Sequence, residues 1–197
     1  MPTGGPNDFP NIFADIEYVF LDRDGVINLK SPEGKYIGHW DHFHFLPGVE
    51  EAIAALNRSG RTVIVVTNQR GVALGYYTKA DVDAIHEALQ KHLAQHAARI
   101  DAFYFCPHDK NECDCRKPLP GMFEEARREF PEISAADSLM VGDSLSDIEF
   151  GRRLGMKTVF IDGETKRQKP GAATAAEMAD CRFPSLNEAV QALLDAR

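Results

Sequence analysis

Thr62-Val63-Ile64-Val65-Val66-Thr67-Asn68 decides the fold class. Its first five residues are β-branched and run without a polar break. A strand with one wet face alternates apolar and polar side chains. An unbroken run suits a sheet covered on both sides, and such sheets are parallel. Four further short apolar runs share this character: 18–21, 102–105, 138–141 and 158–161. Amphipathic stretches fill the intervals, at about 48–59, 78–96, 119–130, 145–154 and 185–196. In the last, Leu186, Ala189, Val190, Leu193 and Leu194 recur at helical spacing. This alternation predicts an α/β fold, a three-layer, doubly wound, mostly parallel and Rossmann-like sheet. Residues 162–176 are polar and rich in breakers, so they predict a surface loop before a short strand near Cys181. The stretch 29–47 is irregular and predicts a segment that projects from the sheet.

The 197 residues are enough for one core, and 44% hydrophobic with 26% charged residues is a globular balance. A net charge of −8 repels nucleic acid and anionic lipid, so neither is expected as a partner. Any phosphate must therefore be captured by a local site. No apolar run reaches the roughly 18 residues of a membrane helix. Met1 to Phe9 is rich in Pro and Gly and lacks the basic-then-apolar order of a signal peptide. The expectation is a loose arm over residues 1–15, a single domain over 16–197, a cytoplasmic location and a monomer.

The reactive residues fall where an open parallel sheet binds ligands, beyond the carboxyl ends of its strands. Asp22 and Asp24 follow the first strand, and Thr67 and Asn68 close the second. Lys117 follows the third and Asp143 the fourth. Asp22 and Asp24 are two residues apart, so on an extended chain both carboxylates point one way. Paired carboxylates repel unless a cation joins them, and oxygen ligands suit Mg²⁺. Gly25 then permits a sharp turn. Singly, each group has a bland reading: exposed acids at a turn, a polar Thr67-Asn68-Gln69 turn, a surface lysine, a helix cap at Gly142-Asp143-Ser144. Asp147 reads as an orienting group for metal-bound water or as part of that helix start. Together they predict one site.

A second cluster is Cys106, His108, Cys113 and Cys115 in the pattern C-x-H-x4-C-x-C. Three thiols and an imidazole make a closed tetrahedral Zn²⁺ site, structural rather than catalytic. Such binding contributes on the order of 10 kcal/mol to loop order. Ordinary buried cysteines or a disulfide are the alternative. His86, His92 and His96 read as surface or packing residues along one helix. His39, His42 and His44 fall in the irregular 29–47 stretch, where the three together also suggest adventitious metal binding, and Cys181 reads as a small buried apolar residue.

Asp22-x-Asp24-Gly25-Val26, Thr67, Lys117 and Gly142-Asp143-x-x-x-Asp147 resemble, in order, the four motifs of the haloacid-dehalogenase-like phosphatases. The resemblance runs from about residue 17 to 161. It implies that Asp22 attacks phosphorus and that Asp24 protonates the leaving oxygen, then activates water. It implies that Thr67, Asn68 and Lys117 hold the phosphoryl oxygens. Mg²⁺ would be bound by Asp22, Asp143 and the backbone carbonyl of Asp24. Within the family, the Cys/His loop leading into Arg116-Lys117-Pro118, with Lys35-Tyr36-Ile37-Gly38-His39, resembles the branch acting on heptose 1,7-bisphosphate. The histidinol-phosphate branch shares the zinc loop. Both imply a small phosphorylated metabolite as substrate and no large cap domain. Access would be shaped by 29–47 and the zinc loop, with Arg116, Arg70 and His39 as substrate contacts. Arg70, Leu74 and Ser144 depart from the heptose pattern, and the short stretch between His108 and Cys113 is closer to the histidinol branch. A non-catalytic phosphosugar-binding module is the rival class, but such a module would have lost Asp22 or Asp24.

Overall fold

The computed structural model describes residue 13 and residues 15–32, 35–163 and 170–196. Six strands form one sheet: β1 (Tyr18–Leu21), β2 (Thr62–Asn68), β3 (Ala102–Cys106), β4 (Ser138–Gly142), β5 (Lys157–Ile161) and β6 (Cys181–Phe183). Six helices intervene: α1 (Val49–Arg58), α2 (Lys79–Gln95), α3 (Gly121–Glu129), α4 (Leu145–Leu154), α5 (Ala172–Met178) and α6 (Leu186–Asp195). The strand order is β3-β2-β1-β4-β5-β6, and every pairing is parallel. This is the doubly wound Rossmann order, whose ligand crevice opens where the winding reverses, between β1 and β4.

Side-chain alternation along the strands builds the two covering layers. Val19, Leu21, Val63, Val65, Leu139 and Val141 share a core with α1, α2 and α6. Phe20, Ile64, Val66 and Met140 share the other with α3 and with Phe150 of α4. The run at 62–66 in β2 is thus apolar because both its faces are covered. No inserted cap domain interrupts the described residues. Among the described residues between β1 and α1 there is only a short 3-10 turn, Trp40–His42, and a backbone strut in which Asn28 bridges to both Asp24 and Phe45.

One expectation is corrected. The loop predicted over 162–176 contains the start of α5. Its sequence, Ala-Ala-Thr-Ala-Ala-Glu-Met, is made of the best helix former, and Ala172 and Ala175 pack on Ile148 and Phe160. The breakers that suggested a loop lie before it, at Asp162 to Gly171, of which 164–169 are outside the described residues. The predicted arm, 1–15, also lies outside them except for Phe13 and Asp15. Phe13 is buried in the α1/α2/α6 core.

Candidate active site

Asp22 and Asp143 leave β1 and β4 side by side, with the Asp22 N–H donating to the Val141 carbonyl at 2.9 Å. Asp22, Asp143 and Asp147 offer carboxylate oxygens within 4.8 Å of one another, all buried. Lys117 Nζ reaches into this group, 2.9 Å from Asp22 Oδ1 and 2.6 Å from Asp147 Oδ1. It also donates to the Val66 carbonyl at 2.6 Å. Burial alone would lower the lysine's pKa; Asp147 and Asp22 outweigh it and raise it, so the ammonium stays charged. Lys30 pairs with Asp143 Oδ2. With all three carboxylates ionised, the two ammonium groups leave one negative charge over. Asp143 Oδ1 is buried without a hydrogen-bond partner among the described residues. Gly25, at φ +107°, approaches so closely that a Cβ there would lie 2.0 Å from Asp143 Oδ2. Surplus negative charge, an orphaned oxygen and bare backbone fit a hard divalent cation such as Mg²⁺.

Burial pushes the Asp143 carboxyl up to about 7, with Asp22 and Asp147 adding to the rise and Lys30 opposing it. The metal-free fold thus binds a proton more tightly than the unfolded chain does. That contribution to stability is complete below the ordinary value of 3.8 and is lost as pH rises through about 7. Binding a cation at this carboxylate must expel the proton. Mg²⁺ affinity, measured by calorimetric titration, should fall about tenfold per pH unit below neutrality. Equal affinities at about pH 6 and about pH 8 would show Asp143 ionised throughout.

Asp24 belongs to a different network. Asn28 Nδ2 donates to its Oδ1 at 2.9 Å, and Gln69 Nε2 and Arg23 Nη2 donate to its Oδ2 at 2.9 and 3.0 Å. Gln69 Nε2 also donates to Thr67 Oγ1 at 2.9 Å, while its Oε1 accepts from the Tyr77 hydroxyl at 2.7 Å. Burial works to raise the Asp24 pKa; the Arg23 charge and the bonds from Asn28, Gln69 and Arg23 lower it overall. Sequence reasoning gave Arg23, Asn28, Gln69, Tyr77 and Lys30 no role. Only Arg23 carried a signal in the sequence, its place between Asp22 and Asp24, and the structure buries it fully. Gln69→Leu should keep the fold and lower kcat by roughly 10- to 100-fold, the usual cost of losing a group that orients a working residue. An unchanged kcat would show that Asp24 holds its place without Gln69.

Cys106 ends β3, and its Sγ lies 3.4 Å from Cys113 Sγ. Cys115 Sγ lies 3.3 Å from both Cys113 Sγ and His108 Nδ1. All three cysteines are free thiols, with no disulfide among them. Four soft donors facing one point fit Zn²⁺ and leave no open position. The loop runs straight into Lys117, whose backbone is clamped by Asn68: Lys117 N donates to Asn68 Oδ1 at 3.0 Å and Asn68 Nδ2 donates to Lys117 O at 3.1 Å. Arg116 donates back to the His108 carbonyl at 3.3 Å. Arg70 grips Asp109 of the loop through two bonds and holds that carboxyl down at about 2. Asp147 accepts from Ser144 N and Oγ, so it caps α4 as well as pairing with Lys117. His39 Nδ1 pairs with Asp41 Oδ2 at 3.3 Å, and its ring lies edge-on to that of His42. His86 is buried and stacked on Phe103 at 4.5 Å, a packing role.

A family model described as HAD-hydrolase-like matches residues 114–189. The D-glycero-alpha-D-manno-heptose-1,7-bisphosphate 7-phosphatase of Mycobacterium bovis is 39% identical over 180 residues, 91% of this chain and 92% of the relative. The chain belongs to the haloacid-dehalogenase-like phosphatases. The D-glycero-beta-D-manno-heptose-1,7-bisphosphate 7-phosphatase of Escherichia coli (strain K12) is 36% identical to the phosphatase over 185 residues, covering 89% and 92% of the two chains. The solved D,D-heptose 1,7-bisphosphate phosphatase of B. bronchiseptica, complexed with magnesium and phosphate, superposes with a TM-score of 0.81 at 30% identity. That match covers 92% of the phosphatase and 100% of the other chain. The phosphatase is therefore a phosphoric monoester hydrolase. No helix among its described residues is long and apolar enough to cross a membrane.

Proposed function

We propose that the phosphatase removes the 7-phosphate of D-glycero-D-manno-heptose 1,7-bisphosphate, with Asp22 carrying the phosphoryl group. The observation that carries this reading is Lys117 Nζ, which joins Asp22 to Asp147 in one buried cluster with Asp143. Asp22 attacks phosphorus, the bond from phosphorus to the sugar oxygen breaks, and Asp24 delivers a proton to that oxygen. Asp24 then takes a proton from water as the water attacks phosphorus and frees Asp22. Asp24 must be protonated for the first step, although its resting partners lower its pKa. A phosphate dianion beside it raises that pKa again. Thr67 and Lys117 hold the phosphoryl oxygens, and Asn68 acts by fixing Lys117 in place. Mg²⁺ at Asp22, Asp143 and the Asp24 carbonyl supplies charge that offsets the repulsion between carboxylate and phosphate. Cys106, His108, Cys113 and Cys115 would hold Zn²⁺, which would order the loop. Arg116 is better placed than Arg70 to meet the distal phosphate, because Asp109 already neutralises Arg70. The reaction belongs in the cytoplasm, where the thiols of such a loop stay reduced.

A substrate panel with Mg²⁺ tests the reading. The α and β anomers of the heptose bisphosphate should exceed histidinol phosphate in kcat/KM by at least about 100-fold, a difference of about 2.7 kcal/mol in transition-state binding. Histidinol phosphate in the lead would transfer the chain to the other zinc-loop branch. Uniformly feeble rates would mean a different ester.

A further inference from the structure

Glu50, His92 and His96 take no part in the chemistry above. His92 lies in the last turn of α2, His96 is its C-cap, and Glu50 lies in the first turn of α1. Each offers one ligand atom, and the three lie within 4.8 Å of one another. His92 Nε2 is 3.0 Å from Glu50 Oε1, and the two imidazole rings are 4.9 Å apart between centroids. The His92 ring is held in place, stacked on Phe45 at 4.3 Å with Trp40 beyond it. A simple ion pair needs one histidine. The second imidazole adds nothing to that pair, and if both rings were protonated they would repel. Two neutral imidazoles and a carboxylate are, however, a donor set for a borderline divalent ion.

We propose that Glu50, His92 and His96 form a second transition-metal site, of Zn²⁺ type, that clips α2 to α1. His92 and Glu50 are half-buried and His96 is exposed, so the remaining coordination positions are open to water. The site is therefore weaker and more exchangeable than the closed thiolate loop. It also touches the catalytic scaffold indirectly, since Phe45, under the His92 ring, bridges to Asn28, which donates to Asp24.

The probe is Zn²⁺ itself, added to protein that already carries its loop zinc, in excess Mg²⁺. Equilibrium dialysis should find a second zinc per chain. Saturation should raise Tm by roughly 5 °C, as mass action predicts for ligand well above Kd. His96→Ala alters an exposed side chain and so should fold. It should weaken the second equivalent at least about tenfold and abolish the Tm rise, leaving the first zinc and the phosphatase rate intact. His42→Ala with His44→Ala should leave both equivalents in place. The proposal is overturned if wild type stops at one zinc, or if the second survives unchanged in His96→Ala and Glu50→Gln, or if it depends on His42 and His44 instead.

Discussion

Asp22→Asn should abolish phosphate release, by at least about 10⁴-fold in kcat, while leaving the fold intact. The size follows from the role proposed for Asp22 as covalent nucleophile, whose removal costs more than the loss of any orienting group. At about 1.4 kcal/mol per factor of ten, it amounts to more than about 5 kcal/mol of barrier. The substitution is nearly isosteric, and the amide oxygen can still accept from Lys117 Nζ as Asp22 Oδ1 does at 2.9 Å. It also removes one of three buried carboxylates that crowd within 4.8 Å. Like-charge repulsion in the metal-free protein therefore falls, and its Tm should equal or exceed that of the wild type. A variant that is inactive but no less stable separates loss of chemistry from loss of fold. A variant within tenfold of wild-type kcat would remove Asp22 from the role of nucleophile and leave the cluster as a binding site.

The layers of the fold were legible because burial leaves a periodic trace. The unbroken run at 62–66 marked a strand covered on both faces, and the acids at 22 and 143 marked the crevice at the reversal of the sheet. α5 was missed because Gly and Pro before it spoke for a loop more loudly than Ala172 to Met178 spoke for a helix. Choice of polar partner leaves no such trace. Asn68 read as a phosphate donor, yet its amide is committed to the backbone of a residue 49 positions on. Tyr77 and Gln69 meet across a turn, and Lys30 reaches Asp143 from the irregular stretch, so neither link has a spacing to detect. What could be read was the set of residue types at the strand ends. Which of them touch phosphate, and which hold the ones that do, is decided by contacts between distant segments.

The largest remaining effect should come from removing zinc from the loop at 106–115, and it should appear in the rate before it appears in global stability. The four donors proposed to hold it, Cys106, His108, Cys113 and Cys115, bracket a loop whose next residues are Arg116 and Lys117. Without the metal, three thiols and an imidazole have no partner strong enough to hold that path, and the order that zinc contributes, on the order of 10 kcal/mol, is lost. The Asn68 clamp alone remains on the Lys117 backbone. A displacement of Lys117 Nζ by about 1 Å is enough to cost about 100-fold in kcat, because charge offset at phosphorus falls steeply when the donor is misplaced. Protein stripped by a chelator and returned to excess Mg²⁺ should show this loss. Hydrogen exchange should quicken at 107–116 and at the start of α3, where Gly121 N donates to the Asp114 carbonyl at 3.0 Å, while the β1 and β4 amides stay protected. Cys115→Ser should reproduce the pattern without a chelator. Full activity in protein shown by metal analysis to be free of zinc would mean that Lys117 is positioned by Asn68, Asp22 and Asp147 alone, and that the thiolate cluster serves the loop without serving the site.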